Sequence, residues 1–145
     1  MNWKFEAIDK LKGYEAHKLA LENIPREIKR LEGAFVSIRS ATTDGTPVSG
    51  GGSTREDTIL SNIAHREELE RTLKQAKAWV QMVDAGLEAL DDEECLVLER
   101  FYIHRAKGNV DRLCEELNVE KATVYRRRDG ALRHFTIALY GVTEN

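Results

Sequence analysis

The sequence predicts an all-α protein: a long antiparallel helical hairpin followed by a C-terminal group of three shorter helices. Three observations predict it. Apolar residues recur at heptad spacing along two long stretches, separated by a stretch rich in glycine, serine and threonine. Only two prolines, Pro25 and Pro47, stand in the way of continuous helix. A composition of 41% hydrophobic and 32% charged residues is that of a well-charged, helix-rich chain.

Residues 3–39 form the first expected helix. Tyr14, Leu21, Ile28 and Phe35 recur every seven residues, and Ile24, Leu31 and Ile38 follow the last three of them by three. An average step of 3.5 residues is the seam of a coiled coil or a long helical hairpin. Pro25 falls within it, and its ring removes one backbone donor, so a kink or a restart is expected near Asn23–Pro25. Residues 40–54 offer almost nothing to bury and are expected to be a flexible loop. Phosphate cradling is the alternative, but the Gly50-Gly51-Gly52 run has neither a preceding strand nor a following Gly-Lys-Ser/Thr and is weak evidence for a phosphate loop. Residues 55–90 form the second helix. Leu69, Leu73, Ala76, Val80, Val83, Leu87 and Leu90 make its stripe, Ile59 and Ile63 extend it, and Asn62 and Arg66 fall on the seam. The two helices should pair antiparallel. Trp79 stands beside the stripe as a packing residue, and Trp3 and Phe5 are candidates for self-association. On this reading residues 1–90 are the hairpin and residues 91–145 a second domain.

The cluster Asp91-Asp92-Glu93-Glu94 could suggest paired catalytic carboxylates. Its spacing fits a helix start better. Asp91 precedes an apolar-periodic run and Glu94 stands three residues later, the arrangement of a capping box, with the remaining charge favoured by the helix dipole. Three helices follow. The first runs over 92–106 and stops at Lys107-Gly108; the second has Asn109 as its N-cap and ends at Leu117; the third starts near Lys121 and runs to about Leu139. Asn118 sits where a tight turn needs a residue tolerant of left-handed backbone angles. Leu113, Leu117, Val119 and Val124 are expected to point inward, with Cys114 as the small residue where two helices touch. Those residue types at those offsets are what a helix-turn-helix requires to hold its second helix at a steep angle for the major groove.

The candidate DNA-binding residues are Lys121, Thr123, Tyr125, Arg126, Arg127, Arg128 and Arg133. Arg126 and Arg128 are the stronger candidates for base edges or phosphates, while Arg127 and Arg133 also suit salt bridges within the domain. The net charge is −3, yet Lys121–Arg133 holds five basic residues and one acidic one, Asp129. Phosphate contacts need positive charge on one face and not on average.

The stretch Leu113-Cys-Glu-Glu-Leu-Asn-Val-Glu-Lys-Ala-Thr-Val-Tyr-Arg-Arg-Arg-Asp-Gly-Ala-Leu-Arg resembles the region-4 helix-turn-helix of bacterial sigma factors. Leu90-Asp-Asp-Glu-Glu-Cys-Leu-Val-Leu-Glu-Arg-Phe-Tyr resembles that module's first helix. A hairpin with a Gly/Ser-rich loop ahead of such a module is similar to small phage transcriptional regulators of the ArpU/RinA type. The resemblance covers about fifty residues by motif and the rest by architecture. It implies a phage-encoded activator of late genes acting with host RNA polymerase. Two positions depart from the pattern: Glu120 stands where such modules carry Ser or Thr as a cap, and Gly130 where a basic residue is common.

No apolar run approaches the roughly 18 residues of a membrane span, and the N-terminus lacks the apolar core of a signal peptide. The cytoplasm of a bacterial host is the expected compartment. Cys95 and Cys114 form no Cys-x-x-Cys pair and fall at apolar helical positions, so they read as buried thiols; the four histidines show no ligand spacing. No catalytic set, cofactor or metal is expected. The expected function is therefore sequence-specific, DNA-binding transcription regulation, with double-stranded DNA as partner. Host RNA polymerase is a further candidate partner, as is a second copy, or a higher oligomer, through the hairpin. The alternative is a small-terminase-like packaging protein that recognises viral DNA, although terminases commonly place the DNA unit first.

Overall fold

The computed structural model describes residues 1–40 and 51–142. Among these residues the chain is all-helical, with no strand: α1 (Trp3–Ser40), α2 (Gly51–Glu88), α3 (Asp92–Leu98), α4 (Asn109–Leu117) and α5 (Lys121–Tyr140). A π-helical turn, Glu99–Ile103, continues α3.

Helix α1 opens where Asn2 accepts the amide of Phe5 on its side chain, which supplies one of the partners that a helix start lacks. It then runs through Pro25 without a break, so the restart expected near Asn23–Pro25 does not occur. Pro25 lies on the exposed side, where solvent can take the place of the donor its ring removes. Of the loop expected over 40–54, residues 41–50 lie outside the described residues, Ser40 closes α1, and Gly51 to Thr54 belong to the start of α2. Each helical glycine costs about 1 kcal/mol relative to alanine. That weakens a helix end, but extending an existing helix is far less costly than nucleating one.

The chain divides into two compact units. Lys18–Lys77 forms one of them. Most of its seam is half-buried: Leu21, Ile24, Ile28, Phe35 and Ile38 from α1 and Ile59, Ile63, Leu69 and Leu73 from α2 keep part of their surface in solvent. Leu31 and Ala76 are its buried apolar residues, and buried Asn62 donates its side-chain amide to the Leu31 carbonyl at 2.9 Å. Arg66 donates in turn to Asn62 and lies over the Phe35 ring, 4.9 Å from its centroid.

The other unit joins Met1–His17 to Ala78–Asn145. The two ends of the long helices that face each other here surround a core with the C-terminal helices. Ala7, Leu11, Val83, Leu98, Ala131, Leu132 and Phe135 make up the larger buried cluster, and Val97, Leu113 and Val124 a second. Trp79 sits on the rim of the first. Its indole donates to the Lys10 carbonyl at 2.9 Å, its ring stacks on His17, and the Lys10 ammonium lies 3.8 Å from its centroid. Trp3, a candidate for self-association, is occupied within the chain by Tyr140, ring centroids 4.9 Å apart; Phe5 is exposed.

The start of α3 follows the expected capping box. The Asp91 side chain accepts the Glu94 amide at 2.8 Å and the Glu94 side chain accepts the Asp91 amide at 3.3 Å. The helical run ends at Ile103 and not at 106, because His104 leaves helical geometry. Asn109 is not the cap of α4. Gly108 is, with φ +82°, and Asn109 is the first helical residue, its buried side chain turned back onto the preceding turn. Both cysteines are half-buried free thiols; Cys95 donates to the Leu87 carbonyl, and burial pushes its pKa up.

Candidate nucleic-acid interface

Helices α4 and α5 are joined by three residues, Asn118 to Glu120. Asn118 adopts the left-handed conformation, φ 55° and ψ 51°, and no other described non-glycine residue has positive φ. That geometry lets the chain reverse within one residue, and asparagine tolerates it better than most side chains. On either side, Leu113 of α4 and Val124 of α5 are fully buried together, with Cys114, Leu117 and Val119 packed against them. The two helices are thus locked at a fixed angle by a small apolar cluster. Glu120 caps α5 by position, its carbonyl accepting the Thr123 and Val124 amides at 3.0 and 3.1 Å, but its side chain makes no capping hydrogen bond.

A helix turns 100° per residue, so the predicted site residues do not share one face. Arg126 and Arg133, seven apart, lie on the exposed side opposite buried Val124, Ala131 and Phe135. Thr123 is half-buried in the first turn. Lys121, Tyr125 and Arg128 lie along a second edge. The Arg128 guanidinium stands 5.1 Å from the Tyr125 centroid and 5.2 Å from that of Phe101, and donates to Asp129. Arg127 points to the opposite flank and is bound to Glu93 at the start of α3, so it serves the domain's own cohesion. On that flank His134 also pairs with Glu94.

A family model described as a protein of unknown function, DUF1492, matches residues 37–136. The chain belongs to this family. No curated protein and no solved structure matches it. The DUF1492 match takes in all of α2, α3 and α4 and most of α5, so both helices of the candidate interface and the turn between them lie inside it.

This DUF1492 chain also carries functional candidates that sequence reasoning missed. The edge of α5 holding Lys121, Tyr125 and Arg128 borders a cleft of about 830 Å³, whose wall is completed by Arg100, the 105–111 segment and Lys12 of α1. A short basic string before Gly108, Arg105-Ala106-Lys107, was the available signal for part of it. Nothing in the sequence places Lys12 there, since its proximity depends on how residues 1–17 pack. That packing is marked by Glu15, which pairs with His104 at 3.1 Å.

Proposed function

We propose that this protein is a sequence-specific DNA-binding transcription regulator. In this reading α4, the Asn118 turn and α5 form a helix-turn-helix of the sigma-region-4 kind, with α5 as the recognition helix. The observation that carries it is the left-handed Asn118 between two helices pinned by Leu113 and Val124, with a basic, solvent-open first half on the second helix. An element that reads base edges must be rigid, must project from its support and must carry side chains with several donors. Arg126 satisfies all three conditions best, being exposed and without an acidic partner among the described residues.

The remaining parts follow from the same reading. Helices α1 and α2 form an antiparallel hairpin, supported by the grouping of the start of α1 with the end of α2 in one unit and of the remaining stretches in the other. The hairpin serves as an arm for a second copy, or for host RNA polymerase. The protein acts in the cytoplasm of a bacterial host as a phage regulator of the ArpU/RinA type, a view that rests on the sequence resemblance. No described helix is long and apolar enough to cross a membrane.

Enrichment of duplexes from a random library by the full chain tests the proposal, followed by gel shifts at several salt concentrations. The wild type should select a defined sequence, and Arg126→Ala should lose about 1–3 kcal/mol of discrimination at one base position. Absence of salt-sensitive binding to any duplex overturns the proposal.

A further inference from the structure

The cleft beside α5 has a composition that the recognition helix alone does not explain. Its cationic lining comes from four places in the chain: Lys12 from α1, Arg100 from the π-helical turn, Arg105 and Lys107 from the connection to α4, and Lys121 and Arg128 from α5. Among the described residues, Asp111 is the one carboxylate in the lining. Arg100 is bound to Glu116 and Arg128 to Asp129. Lys12, Arg105, Lys107 and Lys121 have no acidic partner among the described residues.

Such a gathering of unpaired like charge is unfavourable in the free protein and is tolerated where a polyanion is the intended occupant. The connection that carries two of these charges is held in place. A π-helical turn disturbs the regular carbonyl-to-amide ladder, and here Asn109 donates its side-chain amide to the carbonyls of Arg100 at 2.6 Å and His104 at 3.2 Å. With Gly108 in the left-handed region, this fixes the path of the basic segment before any ligand arrives. The cleft is open and shares Lys121, Tyr125 and Arg128 with the α5 edge, so a polyanion laid along that edge would meet it.

We propose that this cleft is a phosphate clamp for the DNA backbone, in which Lys12, Arg105 and Lys107 grip the strand next to the one α5 reads. The inference rests on the DNA-binding reading above and adds to it that the start of α1 belongs to the DNA-contacting surface. Backbone contacts add affinity without sequence preference and carry the salt dependence of binding.

The test uses the full chain, the duplex enriched by the wild type and a random-sequence duplex, with affinities by fluorescence anisotropy across a salt series. Lys12→Gln, Arg105→Gln and Lys107→Gln, singly and combined, are compared with Arg126→Ala. Each position is exposed, and circular dichroism melting checks that each variant is folded. Each single Gln variant should weaken binding to both duplexes by the same factor and flatten the log–log salt slope by about 0.9, the triple variant by about three times as much. An unchanged slope in the folded triple variant, while Arg126→Ala still loses discrimination, overturns the clamp and leaves the DNA-binding reading standing. Loss confined to the enriched duplex overturns it too, since that marks base contacts. If the wild type binds neither duplex, both proposals fall together.

Discussion

The two compact units use the same kind of helix to different effect. In Lys18–Lys77, stretches of α1 and α2 meet along a heptad stripe, and most seam residues stay half-exposed. Leu19, Val36 and Leu60 remain largely in solvent. In the unit built from Met1–His17 and Ala78–Asn145, the same two helices are joined by three more, and Leu11, Val83, Leu98, Leu113, Val124 and Phe135 lose all contact with water. Two helices can cover only one stripe of each other, whereas a third and a fourth close over the flanks. Stability and rigidity therefore concentrate where the candidate interface lies.

Core truncation probes this contrast most strongly. Phe135→Ala should lower the unfolding free energy by about 3–5 kcal/mol, whereas Leu31→Ala, on a seam that can relax into solvent, should fall near the lower end of the range for Leu, about 2 kcal/mol. Urea denaturation followed by circular dichroism measures both. A Leu31→Ala loss equal to that of Phe135→Ala would show that the seam is as tightly closed as the multi-helix core.

Glycine substitutions sharpen the contrast within the larger unit. A Cβ added at Gly86 would sit 2.6 Å from Phe135 Cε2 and 2.9 Å from Leu139 Cδ2. The Phe135 ring is fully buried and cannot yield, so Gly86→Ala should destabilise by about 1–3 kcal/mol. At Gly130 nothing lies within 4 Å of the added atom, and the residue is inside α5. Gly130→Ala should instead stabilise by about 0.5–1 kcal/mol. Thermal melts of the pair should move in opposite directions; a shift in the same direction would mean that α5 is deformed at Gly130 in a way alanine cannot follow.

These positions also mark how far the sequence could be read. Helix periodicity, the Asp91–Glu94 capping box and the Asn118 turn are local signals, set by residues within a turn or two, and each appears in the structure where the pattern places it. The failures have two physical origins. Local preference was overridden at Pro25 and Gly51, where helix continues despite poor formers, and at Asn109, whose side chain satisfies displaced carbonyls instead of capping. The rest depends on long-range packing: the stacking of Arg128 on Phe101 and the arrival of Lys12 at the cleft link residues far apart in sequence.

On the seam of the smaller unit, Asn62 offers a milder test. The Leu31 carbonyl it contacts lies inside α1, where helical bonding already serves it, so the bond adds specificity more than stability. Asn62→Leu should raise the melting temperature by a few degrees, on the order of 1 kcal/mol. It should also broaden the distribution of association states in sedimentation velocity, because the apolar seam no longer fixes its register. A fall in melting temperature would mean that the Asn62 and Arg66 hydrogen bonds hold the seam together.

The smallest effect lies at high pH in the larger unit. Tyr14 donates its hydroxyl to Asp84 at 2.6 Å, and burial, followed by that bond and the charge of Asp84, pushes its pKa up from 10.0 to about 12. A raised folded-state pKa means that the neutral phenol is favoured by folding, so its contribution is complete below pH 10 and is lost as pH climbs from 10 toward 12. Tyr14→Phe removes the titration. The stability difference between wild type and this variant should then be constant up to about pH 10 and shrink across that window, the lysines and the other tyrosines cancelling in the comparison. A difference that stays flat there would show that the phenol leaves Asp84 in solution, and with it one of the ties between α1 and α2 beside the core.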